Sequence, residues 1–267
     1  RRYIALASVT TVAYLFSVAR TPHVDDEFTL YIDRLSCEFP YSIIADLPSY
    51  NQILYASEEY ESSNNPIDVL LNNAGIMNTE RRVTEDGLEE VFAVNHLAYF
   101  LLTNLLIKKI LESGLKRVVN VSSDAHRFLK SMNFDDLQSE KEFKMFAAYG
   151  QSKLANILFT KKLSSLYQGE GLTTNCLHPG FVSTSIGAQN ENLAFFARLI
   201  RWVSPLIAKP SDKGAETSIY LCSSEYASNT SGAYFIYCKK APISKTAESK
   251  EDAAKLLQIS LELTGLT

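Results

Sequence analysis

Tyr149 and Lys153 stand four residues apart in the run AAYGQSKLANILFTKKLSSLYQ (147–168). On a helix that spacing stacks the two side chains on one face. The pair has a chemical use. A phenol with a pKa of about 10 is a poor acid–base group at neutral pH, and a neighbouring ammonium favours its phenolate. A solvated lysine beside a half-buried tyrosine has the same spacing, so the pair gains meaning only from other segments. Ser122 and Ser123 close the apolar run RVVNVSS (117–123), and Asn72, Asn73, Ala74 and Gly75 close IDVLLNNAG (67–75). Both runs read as buried strands, and open parallel sheets place ligands at the carboxyl ends of their strands. A glycine there lets backbone approach a ligand closely. Asn95 lies between Val94 and His96 in an apolar helical stretch. A buried amide is costly unless hydrogen-bonded, so Asn95 holds either backbone or a water.

These groups need elements that bring them to one edge. YSIIAD (41–46) is a short apolar strand ending at Asp46, followed by helical spacing at Tyr50, Ile53, Leu54 and Ser57. The stretch 84–114 follows a helix period through Leu88, Val91, Phe92, Leu97, Phe100, Leu101, Leu105 and Ile110, and Gly114 ends it. LTTNCLHPG (172–180) reads as a further strand and 251–265 as an amphipathic helix that packs on the domain. Buried strands alternating with long helices imply βαβ units and a parallel sheet covered on both faces. The expected fold is α/β, a doubly wound parallel sheet of the Rossmann type, with one domain over residues 41–267.

Composition narrows the function. The chain has 267 residues, 46% apolar and 21% charged, which excludes disorder and collagen-like repeats. Net charge is −4 with no basic block, arguing against a nucleic-acid binder. Cys37, Cys176, Cys222 and Cys238 stand far apart with no CxxC, so they read as thiols in a reducing compartment and no metal site is expected. The apolar run 3–19 fits a short membrane anchor, a buried element or a signal segment. Residues 21–40 show no clean period, and 1–40 form a divergent N-terminal segment.

NNAG, an asparagine in the following helix, VSS, YxxxK and HPG together resemble the short-chain dehydrogenase/reductase family. TEDGLEEVFAVNHLAYFLLTNLL, RVVNVSSDAHRF, YGQSKLANILFTKKL and CLHPGFVST are similar to its retinol-dehydrogenase-like branch. The resemblance implies NAD(P)-dependent interconversion of an alcohol and a carbonyl, with a small lipophilic substrate such as a retinoid, steroid or fatty aldehyde. Tyr149 would be the general acid–base and Lys153 would lower its pKa and hold the nicotinamide ribose. Ser123 would bind the substrate oxygen, and Asn95 would fix a water linking Lys153 to solvent. Asp46 matches the acid that contacts adenine, and Asn73, Ala74 and Gly75 would line the adenosine side. Pro179, Gly180, Val182 and Thr184 match the PGxVxT segment that meets the carboxamide and pyrophosphate. NADP is the expected cofactor, with NAD as the alternative. Residues 191–210 match the substrate lid, although a subunit contact or a membrane-resting helix has the same pattern. The branch suggests the cytoplasmic face of the endoplasmic reticulum membrane or the cytoplasm, and leaves membrane contact and a homodimer open.

One family feature is missing. The TGxxxGxG turn after the first strand is absent, because the first of the 11 glycines is Gly75. Only 45 residues precede Asp46, so the first βαβ unit is truncated or divergent. The contrasting expectation is therefore a catalytically inactive product or pseudoenzyme that keeps the scaffold for binding. His178 beside Pro179 reads as satisfying a backbone group at a strand end rather than as a catalytic imidazole, and His96 and His126 read as packing or hydrogen-bonding residues beside functional positions.

Overall fold

The structure, a computed structural model, describes residues 3–9, 12–17, 42–63, 65–180 and 211–266. Among these residues eight strands form one sheet: β1 (Tyr3–Val9), β2 (Val12–Ser17), β3 (Ser42–Ala45), β4 (Val69–Asn72), β5 (Arg117–Val121), β6 (Thr173–His178), β7 (Tyr234–Ile236) and β8 (Lys239–Lys240). Their order is β3-β2-β1-β4-β5-β6-β7-β8. β1, β4, β5, β6 and β7 run parallel, and β8 closes one edge antiparallel. Toward the other edge β2 runs antiparallel between β1 and β3.

The helices among the described residues are α1 (Tyr50–Ser62), α2 (Glu90–Leu111), α3 (Met145–Leu166), α4 (Ser211–Ser223) and α5 (Lys250–Thr264). Strand residues alternate between the faces, as the period of two requires. Leu70 and Val118 pack in one cluster with Ala98, Phe100 and Leu102 of α2 and Phe159 of α3. Val69, Leu71, Val119, Val121 and Leu177 pack on the opposite face with Leu221 of α4. The parallel strands are thus covered on both sides.

In the apolar run 3–19, Tyr3–Val9 and Val12–Ser17 are strands of the sheet, and no helix starts within it among the described residues. The described helix long and apolar enough to cross a membrane is α2, and 78% of its apolar window is buried inside the domain. The stretch 84–114 is shorter as a helix than its periodicity implies. Val83 bridges to Glu89, whose two carboxylate oxygens accept from Val91 N at 2.9 Å and Phe92 N at 2.8 Å. A buried carboxylate satisfying two free N–H groups is a strong cap, so the helix begins at Glu90.

Asparagines tie the sheet to its helices just below the carboxyl edge. Asn72 and Asn120 are register partners on β4 and β5. Asn72 Nδ2 donates to Asn120 Oδ1 at 2.7 Å and to Thr103 Oγ1 of α2 at 3.0 Å. Asn120 Nδ2 donates to Thr160 Oγ1 of α3 at 2.9 Å. These buried bonds fix α2 and α3 in height against the strands whose ends carry the candidate residues.

Candidate active site

Asn95 sits in a π-turn, Ala93–Leu97, where the Ala98 N–H bonds back to Ala93 O. The extra residue helps turn Asn95 and His96 inward together, and both are fully buried. Asn95 Oδ1 accepts from Ile76 N at 2.8 Å, and its Nδ2 donates to Ile76 O at 2.9 Å and Ser152 Oγ at 3.0 Å. Of the two roles open to it, the side chain takes the backbone one. Both of its N–H groups are used, while Oδ1 keeps a second lone pair.

Those bonds hold the segment Asn73–Ala74–Gly75 in place, with Ala74 O accepting from Tyr99 Oη. Gly75 is there for close approach. A Cβ on it would stand 3.1 Å from Lys153 Nζ and 3.5 Å from Asn95 Oδ1. Lys153 is 2% exposed, a burial that lysine rarely tolerates. Its Nζ donates to Val121 O at 3.3 Å and lies 5.6 Å from the centre of the Tyr149 ring. Burial lowers its ammonium to about 7. Burial also pushes the Tyr149 phenol above its ordinary value, while a hydrogen bond with the Ser123 side chain pulls it back.

Ser123 follows β5 and caps the short 3-10 turn Asp124–Phe128, its Oγ accepting from Ala125 N at 3.2 Å. Gly150 sets the meeting of that turn with α3, since a Cβ there would stand 3.1 Å from Ala125 O. That close approach brings Tyr149 to Ser123. Ser122 takes the neighbouring structural role, donating to Lys153 O at 2.7 Å. Gly150, Ser152 and Asn156 were not singled out by the sequence. Asn156 had one legible signal, an amide three residues after Lys153 in the apolar stretch LANILF.

Asn95, Ser123, Tyr149, Lys153 and Gly75 therefore meet at the carboxyl edge. Asp46 stands three strands away in the sheet order, at the end of β3 on the same edge. Its Oδ1 is buried without a hydrogen-bond partner among the described residues, and burial with Glu85 and Glu90 nearby raises its pKa. Pro179 and Gly180 follow β6 at the same edge, Gly180 with a φ of 91°. His178 departs from expectation, because its buried Nδ1 has no partner among the described residues. Val182, Thr184 and the stretch 191–210 lie outside the described residues.

The resemblance implies a nicotinamide dinucleotide at this edge. Lys153 Nζ, which donates to Val121 O, has further N–H groups that suit the hydroxyls of the nicotinamide ribose, and Asp46 Oδ1, without a partner among the described residues, suits the amino group of adenine. The pyrophosphate end does not fit in the same way. β1 turns into antiparallel β2 with Val9 opposite Val12, so no glycine turn and helix N-terminus follow β1 among the described residues.

Sheet, crossover helices and the serine–tyrosine–lysine cluster together make a Rossmann-type α/β oxidoreductase fold. The profile of the short chain dehydrogenase family matches residues 35–193, and the chain belongs to that family. It is 41% identical over 221 residues to human (Homo sapiens) retinol dehydrogenase 14, covering 83% of this chain and 66% of that one. Mouse (Mus musculus) retinol dehydrogenase 12 is 39% identical over 221 residues, covering 83% and 68%. The chain thus spans about two thirds of the length of these relatives. Among solved structures, an uncharacterised protein from Mycobacterium Paratuberculosis superposes with a TM-score of 0.60 at 31% identity, covering 83% of this chain and 74% of its own. NADPH-bound carbonyl reductase from chicken fatty liver shares the fold, with a TM-score of 0.53 at 20% identity over 85% and 86% of the two chains.

Proposed function

We propose that the protein is an NADP(H)-preferring oxidoreductase that interconverts an alcohol and a carbonyl on a lipophilic substrate, a retinoid first among them. The observation that carries this reading is the burial of Lys153 beside Tyr149 and Gly75, a costly arrangement that packing alone does not require. The retinol dehydrogenase relatives support the substrate class. In the carbonyl-reducing direction Tyr149 gives its phenolic proton to the substrate oxygen, and in the oxidising direction it takes that proton back. Such positioned acid–base catalysis contributes roughly 10²–10⁴-fold. The Ser123 hydroxyl donates to the same oxygen as negative charge gathers on it. Lys153 supplies the charge that makes the phenolate accessible, and its ammonium donates to the hydroxyls of the ribose. Asn95 keeps Ile76 and Gly75 where they leave room for it. When bound, the nicotinamide would give the hydride in carbonyl reduction and take it in alcohol oxidation. Asp46, Asn73, Ala74, Pro179 and Gly180 are assigned to the remaining cofactor contacts, with Val182 and Thr184 by resemblance. Work at the cytoplasmic face of the endoplasmic reticulum or in the cytoplasm belongs to the same reading.

A second reading has its own observation. The β1–β2 hairpin stands where the pyrophosphate turn would be, which suits a binding scaffold that has lost turnover. Assaying the purified chain with retinaldehyde and either NADPH or NADH separates the two. Turnover faster with NADPH is expected. No turnover with either nucleotide, on a folded sample, would leave the scaffold reading.

A further inference from the structure

Asn156 and His96 lie outside the roles assigned above, yet their hydrogen bonds end on the same atoms. Asn156 is fully buried, and its Nδ2 donates to Asn95 O at 2.8 Å and to Val121 O at 3.2 Å. Two carbonyl acceptors fix which end of the amide is nitrogen. Its Oδ1 therefore faces His96 Nδ1, 3.3 Å away, and that nitrogen must carry the proton. His96 Nε2 is then a bare acceptor, 3.0 Å from Ser260 Oγ of α5. The bonds run in one direction: Ser260 hydroxyl to His96, His96 to Asn156, Asn156 to the two carbonyls. The imidazole is enclosed by Phe92, Phe100 and Phe159, and burial lowers it to about 4, so it stays neutral at physiological pH.

Where the chain ends is what gives it a function. Val121 O also accepts from Lys153 Nζ at 3.3 Å, so Asn156 and the candidate catalytic lysine share one acceptor. Asn95 O belongs to the π-turn residue whose side chain holds Ile76 beside Gly75. At the far end, Ser260 interrupts the buried stripe of α5, after Ala253 and Leu256, where an apolar residue would serve packing as well. A satisfied buried polar cluster needs no such destination. We infer that Ser260, His96 and Asn156 form a positioning relay through which the C-terminal helix sets the placement of Lys153 and of the Asn95 turn.

The inference rests on the active-site reading for its kinetic effect, and two measurements separate the two. Ser260→Ala removes one hydroxyl far from substrate. The relay predicts a kcat lowered about three- to tenfold, with KM for retinaldehyde and NADPH unchanged and the pH limb of kcat displaced. Ser260→Thr, which keeps the hydroxyl, is expected to restore both. A Ser260→Ala profile superimposable on wild type overturns the relay. Independently, ¹⁵N NMR of histidine-labelled, substrate-free protein, assigned with His96→Gln, is expected to show the Nδ1-protonated neutral ring from pH 8 down to about pH 5. The opposite tautomer, or titration in that range, also overturns it. Should wild type turn nothing over, the active-site reading fails and the imidazole spectrum decides the relay alone.

Discussion

Tyr149→Phe is expected to lower turnover by about 10³-fold or more while leaving the fold intact. The substitution keeps the ring that packs beside Lys153 and removes one oxygen. What disappears is the proton that passes to and from the substrate, together with a single hydrogen bond to Ser123. One such bond is worth about 1 kcal/mol, so unfolding should shift only slightly. Steady-state kinetics beside thermal unfolding of the same samples check both halves. A variant that retained even a tenth of wild-type activity would remove the phenol from the chemistry. Wild-type stability with lost turnover is the pattern that an acid–base residue produces and a packing residue does not.

The largest pH effect is expected from Lys153→Met. In the unliganded protein burial lifts the phenol above its ordinary value and lowers the ammonium to about 7. The pair therefore loses its first proton near neutrality, as one coupled site. Phenol with amine and phenolate with ammonium contain the same number of protons, and this one-proton-poorer state is what accepts a proton from an alcohol. Alcohol oxidation should accordingly rise with pH through about 7. Carbonyl reduction, which needs the proton in place, should fall through the same window. Without the lysine the phenol stands alone in a buried site, so the limb of the oxidation profile moves to the alkaline side of an ordinary phenol. At neutral pH that amounts to a loss of about 10² or more. An unmoved limb would show that Lys153 does not tune the proton transfer.

Much of this arrangement was legible because strands and helices differ in period. The runs that become β4, β5 and β6 are continuous and apolar since helices cover both faces, and each ends at the polar residues that face the site. Asn95 was visible as an amide in an apolar helix, and the structure supplies the reason in its bonds to Ile76. Its π-turn was not legible, because one added residue leaves the spacing of apolar positions nearly unchanged. The closeness that Gly75 and Gly150 provide depends on what lies opposite them, which no local pattern records. β7 and β8 escaped because strands of three and two residues are too short to show alternation. Glu89 looked like part of a helix, and tertiary burial made it the cap instead. The N-terminal hairpin was the hardest case: the run was plainly apolar, but its pairing is decided by β3 and β4, far along the chain.

The central claim is that this edge holds a nicotinamide dinucleotide against Tyr149 and Lys153. Titration calorimetry of NADPH into the purified full chain tests it most directly. The account predicts saturable binding at roughly micromolar levels, weakened clearly by Lys153→Met and little changed by Tyr149→Phe. No saturable heat from a demonstrably folded sample, even at millimolar NADPH, would contradict it.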